Sequence, residues 1–409
     1  MARWLKENNQ DKAIKMMLFL VSPFLSFLYA LRRIKTKSSY VIILLTFLFF
    51  GICFSVPRFH SEKSFDGTTY RIDFESFKYL TTSQFYDGLI SFLTFNEGKK
   101  DYYFDTLAFY ISRFSDNYHV LFLFAALIFS FFSLKSFLFF TQEDKFDASL
   151  ASYLLAYLFM FNQIFNINGM RMWTAAWVAV FAILHLFGKG EKRYIFLLLI
   201  TPFFHGAFWV LITIVVIAIF LMRYDKVWSV LWLFSFFTSS VIVEIVQDAS
   251  DYLPFVLQKM VAYYTDNEYL QLRKERGSGY YWVPRLFGTF VRTYVNFIIF
   301  LFIKNSAMIK ANPKTKNLYL FLLVYATLVN ILMPIPSLGG RFFVLAYPII
   351  AYIWLIHFKG VMYQAVLYLF PFVFGWSLYK TFFRDYMTVT PIDFFVGSPF
   401  YLIYKYLLA

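Results

Sequence analysis

The chain has 409 residues, is 60% hydrophobic and 24% aromatic, and carries a formal net charge of +14 at pH 7. Its apolar runs of ~18 or more residues, each enough to cross the ~30 Å hydrocarbon core, exclude a soluble domain, and a β-barrel would need alternating strands of about ten residues that are absent. The charge does not signal nucleic acid, because the basic residues are spread over short loops between apolar runs, as the positive-inside rule predicts.

In chain order, the N-terminal MARWLKENNQDKAIK is too polar, and too long before its apolar run, for a cleavable signal. Spans are predicted at 16–31, 39–57, 118–140, 148–166, 171–188, 194–204, 206–222, 227–247, 283–303, 317–333, 341–358 and 361–378. The expected fold is an all-α polytopic membrane protein. It has about 11–12 transmembrane helices in a single integral membrane domain over 1–409. The single cysteine, Cys53, excludes an intrachain disulfide.

Loop charge sets the sidedness. The loops RRIKTK (32–37), GKGEKR (188–193), RYDK (223–226) and KNSAMIKANPKTK (304–316) are basic, hence cytoplasmic. Segments 58–117 and 248–282 then face outward and are expected to carry short amphipathic helices. The basic N-terminal tail fits this scheme only if the first segment is interfacial or re-entrant. The stretch YIFLLLITPFFHGAFWVLITIVVIAIFLMR (194–223), flanked by basic loops, is too long for one span and short for two. It predicts a bent hairpin broken at Pro202–Gly206, with His205 at the apex.

Helices entering from outside begin at or near Arg171, Arg285 and Arg341, and Arg292 lies two turns into the second of these. An uncompensated arginine deep in the membrane costs roughly 2.5 kcal/mol or more. A cation at a helix N-terminus also opposes the macrodipole. A bound anion would remove both penalties, since N-terminal amides and arginine forks together suit phosphate. The plainer alternative is that each arginine snorkels to lipid phosphates. The turns NING before Arg171 and PIPSLGG before Arg341 would fix these arginines in place.

In SFDGTTYRIDFESFKYL (64–80), Asp66, Tyr70 and Asp73 fall on one face at i, i+4 and i+7 if helical. A carboxylate beside a tyrosine suits sugar hydroxyls or proton transfer; a solvated helix face is the plainer reading. His205 is a candidate to hydrogen-bond an oxyanion or take a proton, against a satisfied interhelical bond. The tyrosines of 259–282 suit sugar stacking or an interfacial belt. No HExxH, clustered Cys/His, Asp-x-Asp or P-loop occurs, so no metal or cofactor is expected.

Three stretches carry a resemblance. FDGTTYRIDFESF contains an Asp-x-x-x-Tyr element after the second span. NGMRMWTAAWVAVFAI is followed by FFHGAFWVL, and GGRFFVLAYPI opens a late helix. In order and spacing they resemble the EpsG-like and Wzy-type polymerases of bacterial surface polysaccharides, among the GT-C-like, lipid-dependent membrane glycosyltransferases. A departure is Gly206-Ala207 after the histidine, where a hydroxyl residue is more usual.

The resemblance implies an O-antigen, capsule or exopolysaccharide polymerase of the cytoplasmic (inner) membrane, with its site facing the periplasm or exterior. The donor would be an oligosaccharide on a polyprenyl diphosphate such as undecaprenyl diphosphate, and the acceptor another lipid-linked repeat. Asp66 and His205 are then the catalytic candidates. Tyr70, Asp73, Arg171, Arg285, Arg292 and Arg341 are the substrate-binding ones. Partners would be these lipid-linked glycans, the bilayer and other polysaccharide-assembly proteins. The rival reading is a lipid-linked oligosaccharide flippase, which would spread basic residues through the membrane depth and show internal repeats; an O-acyltransferase and a structural subunit fit less of the pattern.

Overall fold

The computed structural model describes residues 4–59, 66–96, 99–237, 244–245, 247–248, 252, 258, 261–262, 282–335 and 338–409, with the backbone alone at 282, 284, 285, 384 and 385. The fold is all-α: 78% helix, and no strand among the described residues. The first two helices, α1 (Asn9–Val21) and α2 (Pro23–Leu31), replace the single expected span 16–31. Ser22 is extended, its hydroxyl accepts the Leu25 amide, and Pro23 takes the first helical position. The chain therefore folds back. The Ser26 hydroxyl reaches the Lys15 carbonyl at 2.7 Å, and the Tyr29 hydroxyl reaches Asp11 at 3.0 Å.

This hairpin enters from the basic-loop end. The Leu5 amide bonds the Lys35 carbonyl at 3.2 Å. Lys15, fully buried, donates to Thr36 and Ser38 at 3.1 and 3.0 Å and pairs with Asp11 at 2.9 Å and with Glu7. Pairing is what makes a buried ammonium tolerable. The tip lies beside α3 (Lys37–Cys53), where the Pro23 carbonyl accepts from Thr46 at 2.9 Å. Thr46 is roughly 14 Å along α3 at 1.5 Å per residue, near half a bilayer. The first segment thus folds back on itself, as a re-entrant segment would, and the basic tail joins the other basic loops.

Those loops share one end of the bundle. Glu143 accepts from Lys314 at 2.8 Å and from the Tyr352 hydroxyl at 2.8 Å, and its carbonyl accepts from Lys35 at 3.0 Å. Lys310 pairs with Asp225 at 2.5 Å.

The opposite end carries α4 (Asp66–Phe77), α5 (Thr82–Leu93) and α6 (Tyr103–Ile111) before α7 (Tyr118–Thr141), a 24-residue span packed along α3. Thr81 and Gln84 form a reciprocal capping box that starts α5. The chain then runs through α8 (Leu150–Phe159) and α9 (Met170–Ile183), which lie within the 39-residue apolar stretch Leu150–Gly188. It turns back between them: Asn162 donates to the Trp173 carbonyl at 3.0 Å, and the Trp177 indole donates to the Asn162 carbonyl at 2.9 Å. Leu286–Lys304 and Gly339–His357 are also long and apolar enough to span. A pair bent by 47°, Val361–Val373 with Gly375–Val389, would make a fifth span.

The remaining expected spans are shorter or interrupted. The stretch 194–223 becomes α10 (Ile195–Leu199), α11 (Thr201–Phe204) and α12 (Phe208–Leu221). The backbone is extended at His205, so the chain breaks within the sequence interval that predicts it. Next come α13 (Asp225–Phe234), α14 (Trp282–Lys304) and α15 (Pro313–Ile331). These last three helices are joined at a buried polar point, where Asn296 accepts from Trp232 at 3.2 Å and from Asn330 at 3.0 Å.

The topology is open to labelling, because the native Cys53 is buried. Cysteine at Thr81 should react with an impermeant thiol reagent in intact cells, whereas cysteine at Lys6 or Asn312 should react only after permeabilisation. Labelling of Lys6 together with Thr81 would contradict the re-entrant hairpin.

Candidate functional site

Four separate segments meet at the α9 N-terminus. α4 is placed by close backbone approach: the Gly67 amide donates to Asn168 at 2.9 Å, and a Cβ on Gly67 would lie 2.8 Å from that same oxygen. A larger residue at Gly67 would have to displace the Asn168 side chain that links α4 to the turn before α9. This brings Tyr70 to Arg171, whose Nε donates to the phenolic oxygen at 3.2 Å, with the guanidinium 5.6 Å from the ring centroid.

The second partner of Arg171 is Asp101. Arg171 Nη1 bonds its two carboxylate oxygens at 3.1 and 3.4 Å. The Asp101 side chain is 5% exposed and that of Arg171 41%. Charge-assisted hydrogen bonds contribute roughly 1.5–3 kcal/mol each. Even discounted for the exposed side of the guanidinium, these offset a membrane penalty of roughly 2.5 kcal/mol. The arginine is compensated by protein, and its Nη2 edge makes no hydrogen bond among the described residues.

Asp101 is in turn held by the broken helix. The Tyr102 amide donates to the Phe203 carbonyl at 2.9 Å, and the Gly206 amide bonds the Asp101 carboxylate. Burial pushes the Asp101 carboxyl above its ordinary value, while Arg171 and the Gly206 amide pull it down. Burial likewise raises the Tyr70 phenol, which stays protonated at neutral pH. Its oxygen accepts from Arg171, so its O–H remains available to donate.

His205 sits at this break. Its Nδ1 accepts the Ala207 amide at 3.2 Å, which assigns the neutral ring proton to Nε2. The backbone thus supplies a hydrogen bond beside the ring where Gly206-Ala207 offers no hydroxyl. Arg171, Arg341 and Lys100 all lie near enough to act electrostatically on the imidazole. Arg341 stands on α16 (Gly339–Val344), whose start passes so close to the preceding chain that a Cβ on Gly339 would be 2.5 Å from the Met333 Cα. Phe342 packs on Phe208 at 5.3 Å, which registers α16 against α12. Arg341 makes no hydrogen bond or ion pair among the described residues.

The structure therefore gathers Tyr70, Arg171, His205 and Arg341. Asp66 is exposed at the start of α4, its carboxylate facing Gly169 and its charge felt by Tyr70. Asp73 is exposed further along α4. Arg292 is half-buried on α14, with no described interaction linking it to His205 or Arg171. The Arg285 side chain and the tyrosines from 263 to 281 lie outside the described residues. Asp101 and Lys100 are the members that sequence reasoning missed. The signal available was KKDYYF (99–104): an acid set between lysines and an apolar helix start, in a segment that otherwise reads as loop.

The Arg171–Asp101 contact predicts a graded response. Asp101→Asn keeps the shape but removes the charge, and should lower activity about tenfold or more, in line with loss of a charge-assisted bond. Arg171→Met removes the group that opposes the raised Asp101 carboxyl. A raised carboxyl binds protons more readily folded than unfolded, so it costs stability as pH climbs above the unfolded value of about 3.9. The Arg171→Met melting temperature should therefore fall more steeply than wild type between pH 4 and 8. Parallel pH profiles would mean the pair is not coupled.

The EpsG family model matches residues 39–396, most of the chain. No curated protein and no solved structure matches it.

Proposed function

The chain belongs to the EpsG family, a family of Wzy-like polysaccharide polymerases, and we propose that it joins polyprenyl-diphosphate-linked glycans on the outer face of the cytoplasmic membrane. The observation that carries this reading is the set of cationic and N–H donor groups around His205: Arg171, Arg341, Lys100 and the imidazole Nε2–H. Asp101 offsets the charge of Arg171, so the positive charge beyond that pair is supplied by Arg341 and Lys100. An excess of positive charge at helix starts suits a diphosphate better than a neutral glycan.

In this mechanism a hydroxyl of the acceptor glycan attacks the anomeric carbon of the donor. The bond from that carbon to the diphosphate oxygen breaks, and the electron pair leaves with the diphosphate. Arg171 and Arg341 neutralise the growing charge, and His205 donates a hydrogen bond from Nε2. The arginines carry the charge that a metal ion carries elsewhere. The proton of the attacking hydroxyl goes to Asp66, the exposed carboxylate on the Tyr70 face of α4. His205 is the weaker candidate acceptor, because its Nδ1 lone pair already takes the Ala207 amide. Tyr70 orients the glycan through its free O–H. Holding both glycans at one site supplies the orientation that the reaction needs.

The test is glycan analysis in cells that depend on this protein. Arg171→Ala and Arg341→Ala should each abolish polymer while single lipid-linked repeats accumulate and the protein remains inserted. Arg171→Lys should rescue poorly, since a point charge does not reproduce the fork between Tyr70 and Asp101. Asp66→Asn should lose about 10²–10⁴-fold in turnover while keeping donor affinity, and His205→Ala should weaken donor binding. Full polymer in both arginine-to-alanine variants would refute the anion site. Repeats that never reach the outer face would favour the flippase.

A further inference from the structure

A charged cavity lies among the basic loops, at the end of the bundle opposite the His205 cluster. It has a volume of about 320 Å³ and is lined by the N-terminal tail, the turn between α2 and α3, and the turn between α7 and α8. Lys6, Arg32, Arg33 and Lys35 border it, against one carboxylate, Asp147.

Hydrogen bonds close each seam of this cavity. The Leu5 amide ties the tail to the Lys35 carbonyl at 3.2 Å. Lys35 donates to the Glu143 and Phe146 carbonyls at 3.0 and 2.9 Å, which joins the two turns. The Tyr153 hydroxyl donates to the Leu31 carbonyl at 3.2 Å and forms the far wall.

The local acids offset only part of this charge: Asp147, held ionised by the Ser149 amide at 3.1 Å and the Ser152 hydroxyl at 2.6 Å, acts with Glu143 and Asp144 on Lys35. Asp11 is 3.9 Å from Arg33 but is already engaged by Lys15 at 2.9 Å and Tyr29 at 3.0 Å. Lys6 and Arg32 are exposed and make no ion pair among the described residues. The positive-inside rule asks only that such charges lie on this side. It does not ask that like charges from separate segments be held around one hydrogen-bonded cavity, where they repel one another. A volume near the lower end of ligand sites, roughly 300–1,000 Å³, suits a headgroup or small anion rather than a glycan repeat.

We propose that this cavity binds a phosphate-bearing anion, either an anionic lipid headgroup or a soluble phosphate compound, at the basic-loop end of the protein. Basic pockets beside transmembrane helices take phospholipid headgroups by the same chemistry. The ligand would bridge the re-entrant hairpin to the α7–α8 turn and so brace the first half of the bundle. The inference stands apart from the polymerase reading, since no group in this cavity belongs to the His205 cluster.

The experiment uses the purified full-length protein in neutral detergent, with the melting temperature titrated by four additives: phosphatidylglycerol, phosphatidylcholine, inorganic phosphate and inorganic diphosphate. Stabilisation by phosphatidylglycerol over phosphatidylcholine identifies a lipid headgroup. Stabilisation by phosphate or diphosphate identifies a soluble ligand. In either case each removed cation should weaken apparent affinity about fivefold. The triple variant Lys6→Gln, Arg32→Gln, Arg33→Gln should therefore lose roughly a hundredfold. Lys37→Gln, exposed in the first turn of α3 and not part of the cavity lining, should lose nothing. If the triple variant does not fold, Lys6→Gln alone carries the test with its fivefold loss. The proposal is overturned if no phosphate-bearing additive stabilises the wild type, if the cavity variants keep wild-type affinity, or if Lys37→Gln costs as much as they do.

Discussion

Arg171 is the point on which the described half of the site is assembled. A cation at the first turn of a helix opposes the helix dipole. It is kept because Tyr70 and Asp101 come to it from two other parts of the chain. Asp101 is itself tied to the broken helix at Gly206. One ion pair thus couples α4, the α5–α6 connection, α9 and the His205 break. Remove it, and four segments lose their common reference.

Irregular backbone is the second recurring device. Chain breaks at Ser22–Pro23, between α8 and α9, and at His205–Ala207 all fall within apolar stretches. Such breaks are tolerated in a bilayer only where protein or a wet cavity satisfies the freed polar groups. Here the partners can be named. Ser22 donates to the Phe395 carbonyl at 2.9 Å, Asn162 serves Trp173 and Trp177, and the His205 ring takes the Ala207 amide. Each break also redirects the chain, and the last one places a histidine where three cations act on it electrostatically.

Much of this was legible in the residues. The apolar runs and basic loops gave the all-α membrane fold, and Pro202 to Gly206 marked the break. Asp66 and Tyr70, four apart, read as one face, and the GGR and NGMR starts flagged the arginines. Asp101 was not legible in the same way: its contact with Arg171 spans 70 positions, and nothing local separates it from a solvated loop acid. The hairpin at Ser22 was hidden differently. MMLFLVSPFLSFLYAL is uncharged and mostly apolar, so hydropathy reads one span, although Ser-Pro is also the signature of a helix start. Among the described residues, fewer helices are long enough to cross than spans are expected, because hydropathy does not register breaks and because the apolar helices Lys37–Cys53 and Phe208–Leu221 are short.

The central claim is that Arg171 and Arg341 recognise a lipid diphosphate. Equilibrium binding of a polyprenyl diphosphate and the matching monophosphate to purified protein tests it most directly. A lost charge-assisted contact of roughly 1.5–3 kcal/mol is about tenfold to over a hundredfold in affinity. The account predicts that wild type prefers the diphosphate by about that factor, and that Arg171→Ala and Arg341→Ala each lose the preference while still binding monophosphate. Equal diphosphate affinity in wild type and both variants would contradict it.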